Sequence, residues 1–248
     1  MSGRLIDAVR RRFLAAAAGA GLAGFDWAQA ADSVSGLAIQ DAQILGNVMR
    51  GIPVAQRAAI VAGVSALDAT VYMQAVMAAQ SAWVPEGVFR TSATLTTDRG
   101  IRGASARMSK IAPLGNTFDA IKLSSVSGEF QEVADLQVDF PSLGVGKGIV
   151  LENDNNNVEV NRCEVQYAAR GYSAENTAWM QRYQQCRADF CGTGFYAKGT
   201  NARGGGAGTT LIYDQCYVSN RTVTGFDLNT IRSVLMLKPA ADMSGCTN

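Results

Sequence analysis

Three carboxylates, Asp139, Glu164 and Asp189, carry the most chemistry in this chain, with Arg187 close to the last of them. The 248-residue sequence contains no histidine. That removes imidazole acid–base work, histidine metal sites and histidine-based triads. Catalysis is left to Asp, Glu, Lys, Arg, Tyr and Cys. Paired carboxylates suit general acid–base work at a bond lying between them. Arg162, Arg187 and Tyr217 suit recognition of a polar or anionic ligand. Trp179 and Arg203 are further candidates for contact with it, Trp179 by stacking and Arg203 from the tip of a loop. None of this chemistry exists unless the fold brings distant residues onto one face.

A repeat supplies such a fold. Gly148-Ile-Val-Leu-Glu-Asn153, Gly171-Tyr-Ser-Ala-Glu-Asn176, Gly194-Phe-Tyr-Ala-Lys-Gly199 and Gly225-Phe-Asp-Leu-Asn-Thr230 align. A second block aligns alongside: Asp135–Phe140, Arg162–Tyr167, Gln185–Phe190 and Gln215–Asn220. Both blocks step by 23 residues at the centre, and both lengthen where the connecting segments lengthen. A period in the twenties, with short alternating strands, predicts a solenoid. Leucine-rich offsets are absent, and a propeller blade needs about 40 residues. The remaining architecture is a parallel β-helix, with coils stacked about 4.8 Å apart.

Strand alternation then sorts the side chains. The inward files are Leu136/Cys163/Cys186/Cys216, Val138/Val165/Ala188/Val218, Ile121/Ile149/Tyr172/Phe195/Phe226 and Val133/Val160/Tyr183/Tyr213. Like stacks on like, so the three cysteines are expected to pack as small apolar groups. The outward files are Gln137/Glu164/Arg187/Tyr217 and Asp139/Gln166/Asp189/Ser219. Asp135/Arg162/Gln185/Gln215 flanks them. Asp139 and Asp189 then stand two coils apart, about 9–10 Å. Glu164 and Asp189 are about 8 Å apart. The competing interpretation is that Glu164 and Arg187 form an ordinary cross-strand charge pair. The ladder Glu152/Glu175/Lys198/Asn229 reads as solvated surface.

Upstream, Asp68 is a candidate N-cap for a helix over Ala69–Gln80. The segment Ala82–Pro113 follows. Val84, Pro85, Gly87, Phe89, Leu95, Ile101 and Gly103 in this segment resemble the opening of the pectate-lyase-like superfamily, shared with phage tailspikes and capsule depolymerases. The resemblance covers Asp68–Pro113 and extends to about Leu228 by architecture. It implies an all-β, right-handed parallel β-helix with an N-terminal helical cap. It also implies a partner, an extracellular polysaccharide, bound or cleaved along an outer ladder. Hydrolysis would use Asp139, Glu164 and Asp189, because inverting enzymes separate their carboxylates by about 6.5–9.5 Å. Elimination would use Arg187 or Arg162 to take a proton beside a sugar carboxylate. Family members without activity exist, and a second reading is a trimeric virion stalk or adhesin. Many such lyases hold calcium between aspartates; these aspartates are dispersed, so no metal or other cofactor is expected.

The remaining features set the context. Net charge is +1, which suggests no nucleic-acid partner. Five cysteines without CxxC spacing suggest neither a metal cluster nor a disulfide framework. Residues 1–30 have a basic start, a short apolar run and Ala28-Gln29-Ala30, and Arg10–Arg11 resembles a twin-arginine export signal. The run is too short for a membrane anchor. The signal implies a periplasmic or secreted protein; the alternative is an N-terminal docking helix on a virion tail. Residues 31–67 read as a helical linker or attachment segment, and 68–248 as the β-helix with its cap. The glycine-rich stretch 200–210 lacks the GK[ST] of a phosphate loop and reads as a surface loop carrying Arg203.

Overall fold

From Lys147 to Gln166 the chain makes one full coil, through strands Lys147–Glu152, Asn156–Asn161 and Glu164–Gln166. The next coil lies parallel on it. Ile149 pairs with Tyr172, Val160 with Tyr183 and Val165 with Ala188, each 23 residues on. The computed structural model describes residues 46–124, 130–152, 156–175, 179–199, 209–219, 221–231 and 233–241. Over these the chain is a right-handed parallel β-helix with an N-terminal helical cap. Three parallel sheets of eight, seven and six described strands run along it. We call them sheet I (with Asn156–Asn161), sheet II (with Glu164–Gln166) and sheet III (with Lys147–Glu152).

The corners differ in kind. From the third coil on, sheet I passes to sheet II through a left-handed residue at the same place: Asp135, Arg162, Gln185, Gln215 and Lys238, with φ from 48° to 58°. None is glycine, and each such conformation costs about 1–2 kcal/mol. Coil-to-coil hydrogen bonds offset it, as in Arg162 N to Gln184 O at 2.8 Å and Gln185 N to Asp214 O at 2.8 Å. The connections on either side of sheet III vary in length. Entering it, they run 140–146, 167–169, 190–192 and 220–223; leaving it, 124–130, 153–155, 176–178, 199–208 and 230–233.

The predicted inward files are buried, except that Phe226 at the last coil is partly so. Phe195 stacks on Tyr172 at 4.7 Å and 7°, and on Phe226 at 4.9 Å and 11°. Tyr183 stacks on Tyr213 at 5.0 Å. Offset aromatic stacking adds about 0.5–1.5 kcal/mol per pair to area burial. The buried Tyr172 hydroxyl donates to the Cys163 carbonyl at 2.7 Å. Cys163, Cys186 and Cys216 are free, buried thiols in one file. Their neighbours are tied by Arg187 N to Cys163 O and Tyr217 N to Cys186 O, both 2.8 Å. Each thiol meets a carbonyl of the coil below: Val133 O at 3.5 Å, Val160 O at 3.2 Å and Tyr183 O at 3.4 Å. A cysteine here fills the file and gives that carbonyl a weak donor.

The first coil is covered by α1 (Val54–Val61) and α2 (Thr70–Ala79). Met73 and Met77 of α2 and Ile60 of α1 are buried. Asp68 caps α2 from one residue further out than expected: Ala69 is the cap residue, and the Asp68 carboxylate accepts from Thr70 N at 2.9 Å. Residues 46–67 belong to this cap as well. Gly46–Asn47 pairs with Ala82–Trp83, and Val48, Met49 and Ile52 are buried. Gly87 shows why the opening motif needs its glycine. Its φ is 141°, and a Cβ there would stand 2.8 Å from Ile60 Cγ2. Residues 1–45, with the expected export signal, lie outside the described residues. Among the described residues no helix is long and apolar enough to cross a membrane.

Candidate functional site

Register places the sheet II ladder as the alternation predicts. Gln137, Glu164, Arg187 and Tyr217 form one outer file; Asp139, Gln166, Asp189 and Ser219 form the next. Every acid in it is engaged. Lys110 Nζ is 2.8 Å from Asp139 Oδ2, Gln166 donates to Glu164, and Arg187 Nε is 2.7 Å from Asp189 Oδ2. Asp189 also accepts from the Ser219 hydroxyl and is only 2% exposed. The sequence placed it on a solvated face. That placement is corrected here, because Arg187 turns along its own strand and shuts over it. The cross-strand Glu164–Arg187 pair is replaced by this same-strand pair. Tyr217 lies above, its ring centre 5.5 Å from the Arg187 guanidinium carbon.

Both candidate arginines are paired with a carboxylate. Burial pushes the Arg187 pKa down, but the hydrogen bond and charge of Asp189 outweigh it and hold the group above its ordinary value. Arg162 sits at the corner between sheets I and II and grips Asp135 with two bonds, 2.6 and 2.8 Å. That hydrogen bond raises its pKa. Trp179 opens the strand Trp179–Gln184 and pairs through its backbone with Asn156 and Thr209. It therefore borders sheet III, not sheet II; its side chain and Arg203 lie outside what the structure describes. The predicted set is thus divided among the sheet II ladder, one corner and the far edge of sheet III.

Sequence reasoning passed over the outer face of sheet III. There Lys147 and Arg170 share a register position in adjacent coils. Glu175 stands at the opposite end of Arg170's strand. One of its oxygens, Oε1, lies 2.6 Å from Lys147 Nζ, 2.7 Å from Arg170 Nη1 and 3.0 Å from Ser173 Oγ. A strand rises about 3.3 Å per residue, so both cations must stretch along the face to meet it. This explains why Ser173 and Val150 are fully buried on an outer face. The Arg170 guanidinium carbon lies 3.5 Å over the ring of Tyr196, a cation–π contact worth about 0.5–1 kcal/mol or more. The ladder read as solvated surface is, at Glu175, a half-buried ion cluster. The signal was present: Lys147, Arg170, Thr193 and Thr224 each precede the recurring glycine.

The chemistry of this cluster is recognition. Burial pushes the Glu175 pKa up, but the bonds from Lys147 and Ser173 and the nearby charges bring it below its ordinary value. Glu175 is an anion that fixes two cations. Arg170 has five N–H donors in a planar fork, which matches the geometry of a carboxylate. Among the described residues no cluster of three or more acids or thiols could hold a metal ion.

Comparison with known proteins bears on the fold. No family model and no curated protein matches the chain. It is similar to the solved ORF18 protein of Geobacillus virus E2, with 16% identity and a TM-score of 0.54 over 86% of this chain and 44% of that one. It is also similar to the A-module of the mannuronan C-5 epimerase AlgE4 of Azotobacter vinelandii. There identity is 16% and the TM-score 0.50, over 75% of this chain and 58% of that one. The chain therefore spans less than two thirds of either structure. The likeness is one of architecture, and it agrees with the stacked files: this chain has a parallel β-helix fold.

Proposed function

We propose that this chain binds an extracellular acidic polysaccharide along the outer face of sheet III. The observation that carries the reading is the Lys147–Glu175–Arg170 cluster with Tyr196, on the outer face of a stacked sheet. A stacked sheet offers an extended polymer evenly spaced contacts, and two fixed cations suit a sugar carboxylate. The fold is shared with an enzyme named for its action on mannuronan, a polysaccharide. A net charge of +1 does not oppose this, because the charges that matter are local. Acid–base cleavage on Asp139, Glu164 and Asp189 has less support, since each is already partnered. Export of the protein, by the signal read at residues 1–30, fits such a substrate.

The test is affinity electrophoresis or calorimetry with sodium polygalacturonate, mannuronan and dextran. The acidic polymers should bind and dextran should not. Arg170→Ala should weaken binding about tenfold, the value of one charged hydrogen bond. Equal binding of dextran, or no loss in Arg170→Ala, overturns the reading. A second reading, a non-catalytic virion stalk, draws on the likeness to a viral protein over 86% of this chain. It expects an intact Met1 and a homotrimer in solution. A mature terminus near Ala31 speaks for export.

A further inference from the structure

Glu175 occupies the place on this face where a ligand carboxylate would be expected. Its single oxygen takes donors from Lys147 at 2.6 Å, Arg170 at 2.7 Å and Ser173 at 3.0 Å. The two cations come from adjacent coils, and both are drawn along the sheet to reach it. Lys147 remains 23% exposed and Arg170 32% exposed, so both are reachable from solvent while held. Lys198, one coil above Glu175 in the same file, is exposed.

We infer that Glu175 is a built-in competitor: its carboxylate holds Lys147 and Arg170 in a closed arrangement that an acidic ligand must displace. This deepens, and rests on, the reading of the face as an acidic-glycan surface. The reason is linkage. A ligand that meets Lys147 and Arg170 only when Glu175 has let go binds with its affinity divided by the fraction of open molecules. A partly exposed ion pair is weak, so two such pairs close the site in most molecules without locking it. The device also imposes selectivity. A ligand carrying one carboxylate exchanges one anion for another with little gain, whereas a polymer presents several in succession and wins by multivalency. Tyr196 keeps Arg170 near the face when it is released, through the cation–π contact.

The experiment compares wild type, Glu175→Gln, Glu175→Asp and Arg170→Ala for binding of sodium polygalacturonate and of monomeric galacturonate at low salt. Glu175→Gln should bind the polymer about fivefold more tightly than wild type. Its gain for the monomer should be at least as large. Glu175→Asp keeps the charge but shortens the reach, and should gain less. Thermal melts confirm that each variant is folded, and the two Glu175 substitutions guard against one failing to fold. Unchanged or weaker polymer binding in folded Glu175→Gln overturns the inference. If Arg170→Ala still loses affinity in that case, the glycan-face reading survives alone. If Arg170→Ala matches wild type, it is the glycan-face reading that falls.

Discussion

The outer faces of sheets II and III are built alike and behave differently. Both present files of polar residues at one-coil spacing, and both rest on the same buried stack. On sheet II the charges are settled locally, Lys110 with Asp139 and Arg187 with Asp189, and the Asp189 carboxylate is buried. On sheet III two cations from different coils converge on one carboxylate and stay within reach of solvent. Charge on a solenoid face is therefore a poor guide to a site. Whether a charge is already spent, and by which partner, decides more.

The largest expected effect tests what the two faces share. Phe195→Ala removes the ring stacked between Tyr172 and Phe226 and should cost about 3–5 kcal/mol in urea denaturation. A loss below about 1 kcal/mol would mean the faces do not rest on one core. Next is Asp189→Ala, which strips a buried acceptor from Arg187 and Ser219 and should cost about 2 kcal/mol. Polymer binding by the folded protein should not change. If binding fell while stability held, the roles assigned to the two faces would have to be exchanged.

Smaller effects sharpen the contrast. Raising sodium chloride from 50 to 500 mM should weaken polymer binding in wild type about tenfold or less, as few charges are involved. The same change should leave the melting temperature almost untouched. The smallest effect concerns acid. The Glu175 pKa is lowered from 4.5, so its pairs add stability above that pH, and the gain disappears as pH falls through the lowered value. The difference in stability between wild type and Glu175→Gln should be below about 1 kcal/mol at pH 7 and shrink as the pH is taken below 4.5. A difference that does not shrink would show that packing, not charge, is what Glu175 supplies.

The cysteines link the faces to the core. Burial pushes the Cys163 thiol up to about 12, and Cys191 likewise, so neither forms a thiolate near neutrality. Iodoacetamide at pH 8 should leave both unlabelled in the folded protein and label them in urea. Labelling without denaturant would contradict the closed core beneath both faces.

The sequence alone determined the stack. A 23-residue interval shared by glycine and cysteine, with like residues in file, admits little besides coils laid on one another, because backbone pairing repeats every 4.8 Å and side chains alternate. It also determined which residues face inward, from Leu136 through Cys216 and from Ile121 through Phe226. The tertiary structure decided which outward residues are free to act. Arg187 chose Asp189 two positions along instead of Glu164 directly below it, and Lys147 crossed a coil to reach Glu175. Files predict neighbours at the Cα atoms, but a lysine or arginine spans several ångströms beyond, so its partner depends on rotamers, burial and the walls around it. A repeat specifies where a side chain starts, and only the folded surface settles where it ends.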